Sequence, residues 1–182
     1  ATMSASGKPG WDKMFAPQVE GFPKAEINDL ESVRALIDDQ TVAIMLEPVQ
    51  GEAGVIPATK EFMQGLRKLA DEHKLLFIVD EVQTGMGRTG TMFAYQQSDV
   101  VPDIMTLAKG IGGGVPLAAL LARQEVCVFS HGDQGGTYNG NPLMAAVGVA
   151  VFDALAAPGF MESVNARAKQ LSEGLLALSA KY

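Results

Sequence analysis

The sequence of 182 residues has little of what several protein classes require. Its single cysteine, Cys127, cannot form an internal disulfide, which is typical of a protein from a reducing compartment. The two histidines, His73 and His131, are too few and too isolated for a metal site built on histidine. We therefore predict a cytoplasmic protein without a metal ion, in which Cys127 has an inert packing role among apolar neighbours.

Positive charge and long apolar runs are also scarce. The chain has 14 Lys and Arg residues against 21 Asp and Glu residues, and its net charge of −7 disfavours general binding to nucleic acid or to a membrane surface. No apolar run reaches the roughly 18 residues of a membrane-spanning helix, and the first residues do not have the pattern of a signal peptide. Hydrophobic residues make up 47% and charged residues 19%, as in soluble globular domains.

Segments with helical periodicity alternate with short apolar runs. We predict helices at residues 30–38, from Thr59 onward, at 142–155 and at 160–182, and strands at 41–47, 75–80, 103–108 and 117–122. This alternation predicts an α/β fold, with a mostly parallel sheet and flanking helices. The continuous apolar run at 75–80 suggests a parallel strand covered on both faces, and the apolar stripe of the last helix suggests packing on the body of the protein.

A charged residue stands at the end of each of the first three predicted strands. These residues are Glu47, Asp80 and Lys109. Since the carboxyl ends of parallel strands meet at one edge, where α/β sheets bind ligands, we expect the three charges to form one rim.

Two interpretations of this rim fit only part of the sequence. An apolar strand that ends in two acids, Asp80 and Glu81, is also the Walker-B pattern of ATPases, but the P-loop motif is absent from this sequence. Gly85, Gly87 and Gly90 spell the glycine pattern of dinucleotide-binding loops, but residues 81–84 separate them from the strand. A glycine-rich loop over the site is the simpler interpretation.

A third interpretation uses the charges together. Lys109 is followed by Gly110 and by residues 112–114, all glycine, which would let a planar cofactor approach the backbone closely. A lysine can form a Schiff base with the aldehyde of pyridoxal 5'-phosphate, and that chemistry needs a carboxylate against the ring nitrogen. Asp80 can supply the carboxylate, since it lies 29 residues earlier, a distance that allows one crossover between neighbouring strands.

Four motifs carry a resemblance to a known family. They are EPVQGEAGV (47–55), DEVQTGMGRTG (80–90), PDIMTLAKGIGGG (102–114) and TYNGNPL (137–143). In this order and spacing the sequence resembles the class-III aminotransferases, most closely the acetylornithine and succinylornithine aminotransferases. The resemblance implies the large domain of a fold-type I transferase that depends on pyridoxal phosphate.

The resemblance also implies roles for individual residues. Lys109 matches the lysine that binds the cofactor covalently, and Asp80 matches the partner of the ring nitrogen. Val82 matches the residue packed on one face of the ring. Gln83 matches the side chain near the phenolic oxygen of the ring.

Further roles concern the periphery of the implied site. Thr137 matches a threonine that reaches the cofactor phosphate of the other subunit, although residues 134–136 depart from the usual motif before it. Glu52 matches a glutamate on the substrate side, which in some relatives pairs with an arginine. Glu47 and Glu81 match acidic positions that support the site.

The resemblance implies a partial protein and a full-length enzyme. We expect residues 1–182 to be part of the cofactor-binding large domain, without an N-terminal segment and a C-terminal small domain, and residues 160–182 to lead toward that small domain. The full-length protein is expected to be a homodimer, with its site at the subunit interface. It would transaminate an N-acylated ornithine with 2-oxoglutarate in arginine biosynthesis.

Other functions stay open at this point. Ornithine, succinylornithine and 4-aminobutyrate are alternative amino donors. A function of another class is a non-catalytic piece that acts only as a folded interaction domain, and we expect the 182 residues alone to be inactive.

Overall fold

A four-stranded sheet forms the centre of the chain. The computed structural model describes residues 1–8, 10–14 and 16–182, apart from the side chain of Asp12. The strands are β1 (Ala43–Leu46), β2 (Val49–Gln50), β3 (Ile56–Pro57), β4 (Leu76–Asp80), β5 (Ile104–Leu107) and β6 (Ala119–Ala122). The α-helices are α1 (Thr2–Ala5), α2 (Leu30–Arg34), α3 (Lys60–His73), α4 (Pro142–Ala156) and α5 (Phe160–Ser179).

The sheet has the strand order β1-β4-β5-β6, and β2 and β3 pair separately. Strands β1, β4 and β5 are parallel, which confirms a mostly parallel sheet with flanking helices. Strand β6 instead runs antiparallel to β5. The connection from β5 to β6, residues 108–118, contains only a short 3-10 helix at Lys109–Gly112, so the chain returns beside β5 without a helical crossover.

Helix α3 covers one face of the sheet, as its sequence predicts. The Thr59 hydroxyl accepts a hydrogen bond from the Phe62 amide at 3.1 Å and caps the helix. The apolar stripe of α3, represented by Met63 and Leu66, packs in one core with Phe77 and Val79 of β4. Residues at alternate positions of the strands therefore point into this core.

The opposite face of the sheet is only partly covered by the described residues. Met45 of β1 is 49% exposed and Leu120 of β6 is 66% exposed. Strand β4, the one strand for which the sequence predicts cover on both faces, has no exposed residue. Asp80 and Thr106, paired across β4 and β5, lie on this second face, since their neighbours Val79 and Met105 point into the core.

Two local predictions are corrected by the structure. Helix α2 ends at Arg34 and not at residue 38, because Asp38 and Thr41 form a turn in which the Thr41 hydroxyl donates to the Asp38 carboxylate at 2.8 Å. Cys127 is exposed and does not pack in a core, because it follows a short 3-10 turn, Gln124–Val126, that lies outside both apolar clusters.

The two C-terminal helices have nearly the predicted bounds but not the predicted packing. Met161 and Asn165 at the start of α5 approach Gly87 and Gly90, and the Asn165 amide donates to the Gly90 carbonyl at 3.0 Å. The stripe further along α5 is exposed, with Leu171 at 64%, so the expected packing of that stripe on the body is not observed. Among the described residues no single helix is long and apolar enough to cross a membrane; α4 and α5 pass that test only together, and a 71° bend separates them.

A buried carboxylate holds the sheet to α3. Asp103 Oδ2 accepts hydrogen bonds from Arg67 Nη1 and from the Phe77 amide, both at 2.8 Å, and Oδ1 accepts one from Arg123 Nη1 at 3.2 Å. Burial by itself raises the pKa of Asp103, but the hydrogen bonds from Arg67 and Phe77 and the charge of Arg67 outweigh it and lower the pKa. The carboxylate is thus ionised and connects helix and sheet.

Candidate active site

Three charged residues meet at one edge of the sheet, as the sequence predicts. Asp80 is the last residue of β4, Glu47 directly follows β1, and Lys109 follows β5 by two positions. Because β1, β4 and β5 are adjacent and parallel, all three lie at the carboxyl end of the sheet. We call this edge, with Glu47, Asp80 and Lys109, the charged rim.

Asp80 keeps part of its carboxylate available. Its Oδ1 accepts a hydrogen bond from the Val82 amide at 2.9 Å, which fixes the start of the turn after β4. Within the described chain its other oxygen has no hydrogen-bond partner, and the residue is half-buried. An ionised carboxylate in this position can accept a hydrogen bond from a protonated ring nitrogen.

Lys109 has an unusual backbone conformation. Its φ of 45° lies in the left-handed region, which few residues other than glycine adopt. The side chain is exposed, and Nζ donates to Gln83 Oε1 at 3.4 Å. Strain of this kind is common at functional sites, so the backbone and the position of Lys109 both favour a ligand-binding role.

The turn after β2 packs against Gln83. The Gly51 amide donates to Glu47 Oε2 at 3.3 Å, so Glu47 supports this turn. A Cβ added at Gly51 would overlap the Gln83 side-chain amide, so glycine lets this amide lie close to the turn. Gln83 is in this way held between the turn and Lys109.

Glu52 lies on the same turn and forms an ion pair that the sequence did not indicate. Lys8 Nζ lies 2.6 Å from Glu52 Oε2, and both side chains are largely exposed. The hydrogen bond from Lys8 lowers the pKa of Glu52 most, followed by the charge of Lys8, and Lys109 makes a smaller contribution. Glu52 therefore carries its negative charge close enough to Lys109 to interact with it.

Glu81 is buried and supports the fold around the site. Its carboxylate accepts hydrogen bonds from the Thr84 hydroxyl at 2.5 Å and from the amides of Ala94 and Tyr95 at 3.1 and 2.8 Å. Burial raises the pKa of the Tyr95 hydroxyl, and the charge of Glu81 adds to this effect. Glu81 thus connects the turn after β4 to the 3-10 helix Ala94–Ser98.

The two remaining predicted residues, Val82 and Thr137, have no side-chain hydrogen bond to the charged rim among the described residues. Val82 is half-buried in the first turn after Asp80, beside Gln83. Thr137 is in an exposed turn before α4, and its side chain makes no hydrogen bond within the described part of the chain. The predicted contact of Thr137 with a phosphate in another subunit stays a prediction.

The rim fits pyridoxal phosphate by its donors and acceptors. Lys109 offers a primary amine, and Asp80 offers a carboxylate oxygen for a ring nitrogen. Beside Asp80, the hydroxyl Oγ1 of Thr106 is buried and has no hydrogen-bond partner among the described residues. Nothing in the sequence distinguished Thr106 from an ordinary strand residue.

One cavity lies away from the charged rim. A space of about 600 Å³ opens among residues near the N-terminus and includes Lys8 and Lys24 in its lining, but no residue of the charged rim. The Lys24 ammonium already donates to the carbonyl oxygens of Ser4 and Ala5. We place the candidate site at the charged rim and not at this cavity, because the rim has the side chains that the chemistry needs, whereas the cavity has only volume.

Known proteins share both the sequence and the fold. The family model for aminotransferase class-III matches residues 1–182. Acetylornithine aminotransferase 2 of Bordetella pertussis is 87% identical over the whole chain, which covers 46% of that protein. The chain thus spans about half the length of the curated relatives it matches.

Solved structures agree with this relationship. The N-acetylornithine aminotransferase of Stenotrophomonas maltophilia is 41% identical with a TM-score of 0.76, covering 86% of this chain and 41% of its own. A transaminase from the marine bacterium Virgibacillus is 28% identical with a TM-score of 0.90, covering 100% of this chain and 45% of its own. From its sequence and its fold, the chain belongs to the class-III aminotransferases.

Proposed function

We propose that the full-length protein is a pyridoxal-phosphate-dependent aminotransferase that transfers the amino group of N-acetylornithine to 2-oxoglutarate. The observation that carries the proposal is the charged rim, where Asp80 ends one strand and the strained Lys109 follows its parallel neighbour. The 87% identity to an acetylornithine aminotransferase favours this amino donor over ornithine, succinylornithine and 4-aminobutyrate.

Each rim residue has a task in this reaction. When bound, pyridoxal phosphate supplies an aldehyde that condenses with amines and a ring that accepts electrons. Lys109 Nζ would hold the cofactor covalently and, once free, would act as base and acid. It would move a proton from the amine-bearing carbon of the donor to the cofactor, and in the second half of the reaction from the cofactor to the carbon that becomes the amine-bearing carbon of glutamate.

Three polar side chains near Lys109 have supporting tasks. Asp80 holds a proton on the ring nitrogen, because its ionised carboxylate stabilises the positive charge there. Gln83 accepts a hydrogen bond from Lys109 Nζ and so limits the directions that the amine can take. Glu52, which matches a glutamate on the substrate side, has its pKa lowered by Lys8 and, to a smaller extent, by the charge of Lys109.

The proposal extends to assembly and location. Thr137 is exposed on a turn, which is compatible with a contact to the phosphate in a second subunit of a homodimer. The single cysteine favours the cytoplasm as the compartment of the protein. Sedimentation of the full-length protein tests the dimer, and fractionation of the source cells tests the location.

Peptide mapping after borohydride reduction tests the site. In the full-length protein we expect the pyridoxyl label on Lys109, and we expect Lys109→Ala to lose the label and nearly all turnover. Lys68→Ala is the control, since the Lys68 side chain is 78% exposed and within the described residues it forms an ion pair with Glu72 alone. A label on any other lysine would refute the assignment.

Substrate competition tests the amino donor. Turnover of acetylornithine, succinylornithine, ornithine and 4-aminobutyrate is measured with 2-oxoglutarate as acceptor. We expect the highest kcat/KM for acetylornithine. A higher value for one of the others would keep the reaction type and change the substrate, whereas no turnover with any of them would favour a non-catalytic interaction domain.

A further inference from the structure

Thr106 carries a hydroxyl group that the fold itself does not use. The residue is half-buried, but its Oγ1 is inaccessible to solvent and has no hydrogen-bond partner within the described chain. A buried polar group without a partner destabilises a folded protein, and such groups are rare. Valine has nearly the same shape and would avoid this cost, so the hydroxyl calls for a functional explanation.

The position of Thr106 suggests what the hydroxyl contacts. In the parallel pair β4–β5, Thr106 is the direct register partner of Asp80. Register partners in a sheet point to the same face, and here this face is the one opposite the core of α3. Thr106 is therefore the strand neighbour of the carboxylate at the charged rim.

The Asp80 carboxylate has room for a further donor. Its Oδ1 accepts a hydrogen bond from the Val82 amide at 2.9 Å, and within the described residues this is the only hydrogen bond that the carboxylate makes. An ionised carboxylate has about four lone-pair sites. The Val82 amide, one hydroxyl group and one ring N–H would together use three of them.

We propose that Thr106 is a positioning residue for Asp80, whose hydroxyl donates a hydrogen bond to the second carboxylate oxygen when pyridoxal phosphate is bound. The proposal rests on the proposed function, since it needs the cofactor at the rim. With the Val82 amide on one oxygen and the Thr106 hydroxyl on the other, the carboxylate cannot rotate away from the ring nitrogen.

A stability comparison separates this role from a structural one. In the cofactor-free full-length protein, Thr106→Val removes an unpartnered hydroxyl, so we expect an unchanged or higher denaturant midpoint. Thr84→Val is the control, because Thr84 is also a threonine of the site region and its buried hydroxyl donates to Glu81 Oε2 at 2.5 Å. We expect that control to lower the midpoint.

Cofactor titration gives the second measurement. We expect Thr106→Val to weaken pyridoxal phosphate binding by about tenfold or more, as for the loss of a hydrogen bond to a charged group. Thr106→Ser keeps the hydroxyl and should restore the affinity to within about twofold to threefold of wild type. In an Asp80→Ala background, Thr106→Val should have no further effect.

Three results would overturn the proposal. The first is a denaturant midpoint that falls as far in Thr106→Val as in Thr84→Val. The second is a pyridoxal phosphate affinity of Thr106→Val equal to that of wild type. The third is a loss of affinity on Thr106→Val that is as large in the Asp80→Ala background as in wild type. Failure of the proposed function is recognised separately, because full-length wild-type protein would then bind no pyridoxal phosphate and leave no borohydride label on Lys109.

Discussion

Asp103→Ala is expected to be among the most destabilising single changes in this chain. The carboxylate accepts hydrogen bonds from Arg67, Arg123 and the Phe77 amide, and its side chain is only 10% exposed. The Arg67 side chain is 17% exposed, so both members of the main ion pair are largely removed from water. Alanine would leave a buried guanidinium and a buried amide without their acceptor.

The magnitude follows from this burial. Breaking a buried ion pair by removing one partner costs about 3–5 kcal/mol in free energy of unfolding, because the remaining charge is uncompensated. Arg67 retains Asp71 at 2.8 Å, but that carboxylate is 68% exposed and compensates only weakly. We therefore expect a loss at the lower end, about 3 kcal/mol for Asp103→Ala. Asp103→Asn keeps one acceptor and should lose less.

Asp99→Ala provides the matched control. Asp99 also pairs with a cation, Lys60, but the two side chains are 70% and 49% exposed. Such a pair contributes at most about 1 kcal/mol. Urea unfolding of the full-length protein, followed by circular dichroism, measures both variants. The reasoning is refuted if Asp103→Ala changes the free energy of unfolding by no more than Asp99→Ala does.

The pH dependence gives an independent check on Asp103. Because the pKa of Asp103 is lowered in the folded protein, its stabilising contribution is fully present above the unfolded value of about 3.9. The contribution is lost as the pH falls through the lower folded pKa. The stability difference between wild type and Asp103→Asn should therefore shrink below about pH 4, and a difference that grows on acidification would contradict the sign.

Three further variants test the surroundings of the site in the full-length protein. Asp80→Ala should reduce kcat by about 10²-fold or more, as for other lost contacts to a developing charge, and steady-state kinetics within twofold of wild type would reject its role. Gly51→Ala should displace the Gln83 amide and change the cofactor absorbance, while the urea midpoint stays close to wild type because Gln83 is exposed and can move. Glu81→Gln should lower the stability by about 2 kcal/mol, since two amides and a hydroxyl lose their charged acceptor, and near-UV circular dichroism should report a change around Tyr95.

Local sequence patterns were sufficient for much of the fold. Thr59 and Pro142 mark helix starts because a capping hydroxyl and a proline act on their own backbone. The charged residues after apolar runs located the rim, since strand ends follow from the extent of each run. Asp80 and Lys109 could be placed together because a parallel crossover brings successive strand ends to one edge.

Where packing extends beyond one segment, the sequence was a poorer guide. The exposed stripe of α5, the exposed Cys127 and the shorter α2 all depend on what lies next to a segment, and composition does not specify neighbours. The antiparallel direction of β6 has the same origin, since an apolar run is equally compatible with either direction.

The family and the two central residues, Asp80 and Lys109, were thus determined by the sequence alone, because the order and spacing of the motifs can be read directly from it. The tertiary structure decided which distant groups meet: Lys8 with Glu52, Asp103 with Arg67 and Arg123, and Thr106 with Asp80. These contacts join residues 20 to 44 positions apart. Strand order and register bring such residues together, and both arise only when the whole sheet is formed.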